Sequence, residues 1–165
     1  MSAGYRVFPG TTWRTQYERM KRTRHKLDRP YDVPAEYDDD VVHFFQDALH
    51  LRDWLTSDWS WQTGARKNAA DCDAVAQWVK DHEALQAASD IANGTKHPER
   101  DKAPYRFMVR VRKHVNIHVG PGAETAIEMR SDFADAQGKE QSASDLADDV
   151  IREWDDFLRS RGLLP

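Results

Sequence analysis

Apolar residues recur along this chain at a spacing of three to four over most of its length and at a spacing of two in one stretch. Trp13, Tyr17, Met20 and Leu27 keep helical spacing, with Arg24 at the intervening position. They predict a first helix over about 12–28, capped by Thr11 or Thr12. "DRPYDVP" (28–34) carries two prolines that exclude a helix interior and reads as a linker. Val41, Phe44, Phe45, Ala48, Leu51 and Leu55 form one apolar stripe and predict a second helix over about 35–57. Its acidic start (Glu36, Asp38, Asp39, Asp40) suits the positive end of a helix dipole. "SDWSWQTGAR" (57–66) reads as a loop with Trp59 and Trp61. Val75, Trp78, Val79, Leu85, Ala88 and Ile91 predict a third helix over about 68–94, bent near Asp81 and His82 and stopped by Gly94 and Pro98.

Then the period changes. Between Arg106 and Val119, Phe107, Val109, Val111, Val115, Ile117 and Val119 fall on one side, and Arg106, Arg110, Arg112, His114, Asn116 and His118 on the other. Period two with β-branched residues predicts a strand, and Lys113 on the apolar side marks a bulge or turn. "GPG" (120–122) is a turn, and "ETAIEMR" (124–130) the returning strand, with Thr125, Ile127 and Met129 inward. "SDFADAQGKEQ" (131–141) is polar and reads as a loop. Leu146, Ala147, Val150, Ile151, Trp154, Phe157 and Leu158 make an unbroken stripe for a terminal helix, capped by Ser142 with Asp145 or by Ser144, and ended by Gly162. The fold expected is mostly α (α+β): a bundle of about four helices, with a small antiparallel β-hairpin (105–130) inserted before the last. Residues 1–34 read as an arm, basic helix and linker, and 35–165 as a single domain.

Composition narrows this picture. With 39% hydrophobic and 32% charged residues in 165, the chain is a rather polar globular one. Cys72 is the single cysteine, so no intrachain disulfide forms, and a reducing, cytoplasmic setting is expected. The first ten residues lack the apolar core of a secretory signal, and no apolar run approaches a membrane span, so no membrane partner is expected. The net charge of -4 argues against a general nucleic-acid coat. It is unevenly spread: residues 14–29 carry seven Lys/Arg against Glu18 and Asp28, a local +5 that leaves -9 on the rest.

Two segments, "FFQDALHLRDWLTSD" and "LQAASDIANGTKH", resemble a group of uncharacterised bacterial and phage proteins. These carry an H-x-[KR]-D-W segment, then D-x-x-N-G-x-K-H, then a hairpin and a terminal helix around a Trp. The resemblance covers about 35–160. More distantly the chain is similar to HEPN domains, helical bundles whose third helix often reads Arg-Asn-x-x-x-His. Many of them are metal-independent ribonucleases of toxin–antitoxin and phage-defence systems. Asn93 and His97 match that motif, and Ala92 stands where it has Arg. Alanine neither contacts a scissile phosphate nor moves a proton, so the likeness bears on the fold more than on activity.

Three constellations carry candidate chemistry. "DIANGTKHP" (90–98) has two readings. One is a helix end, with Asn93 or Gly94 left-handed and Lys96 at the negative pole. The other is a polar cluster of Asp90, Asn93 and His97 with His50 and Asp53 of the second helix. That helix also sets His43, Asp47, His50 and Trp54 on one face, where histidines and a carboxylate can share a proton or a metal. No tight ligand pattern accompanies them, and neither a metal nor a cofactor is expected. Second, Arg106, Arg110, Arg112, His114 and His118 make one strand face basic, fit to touch phosphates or to be neutralised by Glu124 and Glu128 across the hairpin. Third, Arg19, Lys21, Arg22, Arg24 and Lys26 either track a nucleic-acid backbone or form a solvated face, and Trp13 and Tyr17 alternatively dock a partner or a second copy.

Cys72, between Asp71 and Asp73, lacks the electropositive setting of a reactive thiolate. No glycine-rich phosphate loop, dinucleotide fingerprint or nucleophile elbow occurs. The leading expectation is a HEPN-like, non-catalytic binding or interaction protein with a nucleic-acid or protein partner, in phage–host conflict. Its contacts would be Arg19, Arg22, Lys26, Arg110 and Arg112. One alternative is a metal-independent ribonuclease using His97, Asn93 and Lys96, with Lys96 or Arg52 replacing the missing Arg. Another is a self-associating structural protein, dimerising through its first helix.

Overall fold

A large apolar residue at every turn is enough to bury a helix, even one as polar as the first here. α1 (Trp13–Lys26) carries Trp13, Tyr17 and Met20 on one edge, all inside the core. A computed structural model describes the protein at residues 12–57, 69–94, 110–119, 125–135 and 137–165. The arm before Thr12, the loop with Trp59 and Trp61, the segment 95–109 holding Lys96, His97, Arg106, Phe107 and Val109, and the turn 120–124 with Glu124 lie outside these residues.

The described chain continues through α2 (Pro34–Ser57), α3 (Ala69–Asp81), α4 (Glu83–Gly94), β1 (Arg110–Val119), β2 (Thr125–Ala134), β3 (Glu140–Ser142) and α5 (Ala143–Ser160). It is mostly α with a small antiparallel sheet, as the periodicity predicts. α2 is the central helix. It packs against α1, α3, α4 and α5, and Phe44, Phe45, Leu51 and Leu55 are fully buried along it. Each such side chain contributes roughly 1.5–3 kcal/mol by leaving water. Trp13, Tyr17 and Met20 join this same core.

One long third helix was expected, and two helices stand there. His82 separates them. Its ring Nδ1 lies 2.7 Å from the Trp78 carbonyl, the acceptor that a continuing helix would give to its own backbone N–H. Its carbonyl instead receives Gln86 N–H at 3.1 Å and starts α4. Ala87, Ala88 and Ala92 are buried on α4, and small side chains at a helix contact shorten the interaxial distance to α2. Asn93 and Gly94 are both still helical at its end.

The sheet has order β1-β2-β3, antiparallel throughout. Residues 131–141, expected as loop, instead extend β2 to Ala134 and form β3. The turn between them is specific. Gly138 N–H donates to Asp135 O at 3.1 Å, Gly138 takes φ +82°, and the Asp135 carboxylate accepts from Gln137 N and Lys139 N, each at 2.9 Å. This is a three-residue hairpin loop with glycine in the left-handed position. Phe133 carries the sheet into the bundle, edge-on to Phe45 at 5.5 Å.

The hairpin's apolar face reaches the core only at this base. Met129 is half-buried against it, while Val111, Val115 and Ile117 on the same face are 55%, 50% and 63% exposed. The side chains of Thr125 and Ile127 lie outside the described set.

α5 follows its sequence signals. Ser142 Oγ accepts Asp145 N–H at 3.0 Å and starts the helix, and Trp154 is 1% exposed in the core. At the other end Gly162 takes φ +67°, and Gly162 N→Arg159 O (2.9 Å) and Leu163 N→Leu158 O (2.9 Å) complete a Schellman termination.

Candidate interaction surface

α1 holds the basic segment, and most of its charge is engaged with neighbouring helices. Asp47 of α2 is 1% exposed, and its carboxylate receives Arg19 Nε at 3.0 Å, Thr23 Oγ1 at 3.0 Å and Gln16 Nε2 at 3.2 Å. Asp40, also buried, receives Lys26 Nζ at 3.1 Å, Arg29 Nη2 at 3.2 Å and the Tyr31 hydroxyl at 3.1 Å. Burial first, then the neighbouring Asp40, pushes the Tyr31 phenol up to about 12. Arg24 is buried and forks onto Asp148 of α5 through Nε (2.7 Å) and Nη2 (2.8 Å), with Nη1 on Asp28 at 2.7 Å. Burial disfavours its charge, but the hydrogen bonds to Asp148 and Asp28 outweigh this and raise its pKa.

Arg19 and Lys26 therefore brace α1 on α2. A nucleic-acid phosphate would have to compete with Asp47 and Asp40 for them. Arg22 is exposed and makes no ion pair among the described residues.

The face of α2 read from spacing does not act as one group. His43 points to solvent, Asp47 turns under α1, and His50 is half-buried with no hydrogen bond among the described residues. Asp53 is exposed and accepts from Arg52 beside it, at 3.0 and 2.9 Å. Asp90 and Asn93 are half-buried on the last turns of α4, and His97 and Lys96 lie outside the described residues. Among the described residues no three His, Cys, Asp or Glu side chains gather in a metal-holding group. Cys72 is half-buried, with Sγ 3.4 Å from Thr56 O.

On the ribbon's polar face the described cations Arg112 and Arg130 both meet carboxylates. The register sets Glu128 opposite Asn116, and Glu124 lies outside the described residues. Glu140 of β3 takes Arg112 (2.8 Å) and Asp132 of β2 takes Arg130 (2.6 Å), with His114 Nε2 3.1 Å from Asp132; on the opposite face Lys113 reaches Asp38 of α2. Arg110 stands opposite Ala134, with its side chain outside the described set.

The sheet has two unlike edges. On the β2 side, beyond the short β3, Ser131 N–H donates to the Tyr37 hydroxyl at 3.0 Å. A side chain thus stands where the next strand's carbonyl would be. Next to it a cleft of about 620 Å³ runs between β2, residues 27–30 and the start of α5, floored by Leu27, Tyr37 and Met129. The two arginines on its rim are engaged, Arg29 by Asp40 and Arg130 by Asp132. The other edge is β1. Among the described residues nothing pairs with its outer side. Val111, Val115 and Ile117 stand exposed along it, and apart from Val33 they are the exposed large hydrophobic residues of the described chain.

The sequence gives no sign of the buried carboxylates Asp40, Asp47 and Asp148 as anchors for α1, because their partners are distant in the chain. The exposed apolar row is visible in it as an alternating strand with the core-facing side correctly chosen, but nothing in it shows that only the base of that side reaches the core.

Comparison with family models, with curated proteins and with solved structures finds no match for this chain. No helix among the described residues is long and apolar enough to cross a membrane.

Proposed function

We propose that this chain is a non-catalytic interaction protein that engages a protein partner through the ribbon edge formed by β1. The observation that carries the reading is the exposure of Val111, Val115 and Ile117 on one face of a strand whose outer side pairs with nothing among the described residues, with Lys113 between the first two. Scattered apolar residues on a surface need no explanation, but several on one face of an open sheet edge mark a contact surface or an aggregation hazard. The engagement of Arg19, Lys26 and Arg112 by carboxylates favours this reading over a nucleic-acid one. The resemblance to HEPN bundles supports a setting in phage–host conflict.

The test places a photo-crosslinking residue at position 117 in the producing cell, with position 43 on the exposed side of α2 as control. A discrete protein adduct at 117 that is absent at 43, and lost when Val111 and Val115 become lysine, is expected. RNA adducts at 117, or RNA cleavage by the purified chain, would overturn it in favour of the nucleic-acid or ribonuclease readings.

A further inference from the structure

His82 is the single residue between α3 and α4, and its ring also reaches α5. The ring lies flat on the Trp78 indole, with centroids 4.0 Å apart and planes at 25°. Nδ1 is 2.7 Å from the Trp78 carbonyl, and Nε2 is 3.3 Å from Glu153 Oε2 of α5. A carbonyl oxygen only accepts, so the proton of a neutral ring sits on Nδ1. Nε2 then presents a lone pair to a carboxylate oxygen. The contact with Glu153 becomes attractive only when the ring carries a second proton. A neighbouring bond is free of this condition: the Trp78 indole N–H donates to the Glu153 carbonyl at 3.1 Å whatever the charge on the imidazole.

The other charged groups around this elbow have partners or stand in water. On α3, Lys80 is exposed and Asp81 accepts Gln77 Nε2 at 2.7 Å. On α4, Glu83 is exposed, across a small cleft from Asp135 and Lys139. On α5, Asp149 receives Arg152 and Asp156 receives Arg159. From α2, Arg52 comes beside Val79 and Leu85 and is held by Asp53. Among the described residues Glu153 is the only ion-pair partner of the ring. The imidazole is also the one group of this set that ordinarily changes charge between about pH 5 and pH 8.

We infer that the α3–α4 elbow is a proton-operated clasp. The doubly protonated His82 ring fastens the elbow to Glu153, and loss of the Nε2 proton releases it and leaves the ring on Trp78 alone. Gln86 N–H, which bonds the His82 carbonyl at 3.1 Å and opens α4, reports the state of the clasp. The device lies apart from β1 and stands independently of the interaction reading.

The test follows the full chain by NMR from about pH 5 to pH 8. It reads the His82 ring nitrogens and the exchange protection of Gln86 N–H, corrected for the intrinsic effect of pH on exchange. Protection at Gln86 is expected to fall about two- to fivefold as the ring loses its proton, the range a partly exposed ion pair supports. The Trp78 indole N–H should keep its protection. Glu153→Gln separates charge from contact, because a glutamine amide donates to the bare Nε2 of a neutral ring. In that variant the fall at Gln86 should vanish or reverse. His82→Gln should remove the response as well, and Glu153→Gln decides alone if that variant does not fold. A response that persists unchanged in Glu153→Gln would overturn the inference. So would a neutral ring with its proton on Nε2, since that tautomer meets Glu153 without a second proton. No change at Gln86 across the titration of the His82 ring would overturn it too.

Discussion

Asp47 shows how far a single side chain can depart from its apparent role. Its spacing from His43 and His50 on α2 suggests shared chemistry. In the fold it is a buried acceptor for Gln16, Thr23 and Arg19 of α1. Asp47→Ala strands two buried donors and is expected to cost about 3 kcal/mol, whereas Arg19→Ala, whose head is half in water, should cost under about 1 kcal/mol. Equal shifts in urea midpoint would mean that the node is only a surface ion pair. A second residue-scale expectation concerns Tyr31. Its folded pKa is pushed up to about 12 from 10.0, chiefly by burial and then by Asp40. The protonated phenol is thus favoured in the fold. Its contribution is complete below about pH 10, where the unfolded phenol titrates, and declines by up to about 1.4 kcal/mol per pH unit until about pH 12. Tyr31→Phe should flatten this alkaline decline. An unchanged slope between about pH 9 and pH 11 would show that Tyr31 is not its source. Spacing made the face of α2 legible, but not what lies against it. The partners of Asp47 and Asp40 come from α1 and the turn after it, and no local pattern encodes which buried carboxylate an arginine will find.

Among the elements, legibility follows the reach of the signal. α5 was readable to within two residues at its start, where Ser142 and Ser144 competed as caps, because its cap, stripe and terminal glycine are all local. Gly162 tests that cleanly. It sits at φ +67° with nothing within 4 Å of an added Cβ, so Gly162→Ala measures backbone strain alone and should cost about 1 kcal/mol in a thermal or urea melt. No measurable cost would show that the termination tolerates a side chain. β3 was missed for the opposite reason. "DAQGK" is a hairpin-turn signature, but the flanking residues are too polar and too few to show a period of two. The split at His82 was half-legible: the bend was expected there, but the side-chain capture of the Trp78 carbonyl needs a ring in a particular rotamer. The ribbon gave its two strands. It hid the fact that only its base touches the core, because alternation reports two faces and not how far a partner layer extends along one.

For the molecule as a whole, stability and contact surface are separated. Trp154 is buried near the middle of the bundle, and Trp154→Ala is expected to cost roughly 3–5 kcal/mol. Ile117→Thr on the ribbon should change stability by no more than about 0.5 kcal/mol. If the two had comparable effects in denaturant melts, the ribbon would be part of the core. The excess of positive charge over 14–29, conspicuous in the sequence, is largely absorbed by Asp47, Asp40 and Asp148, so it fastens α1 into the bundle.

The Tyr37 hydroxyl on Ser131 N–H has one further consequence, for growth. Stacking copies end to end into a filament needs two complementary open edges on every molecule, since each copy must both receive and offer a strand. Here one edge is stopped by a phenol and walled by residues 27–30 and the start of α5. Among the described residues the part of β2 beyond β3 is thus closed to a further strand, so a strand laid on β1 finds no matching edge there to repeat the contact.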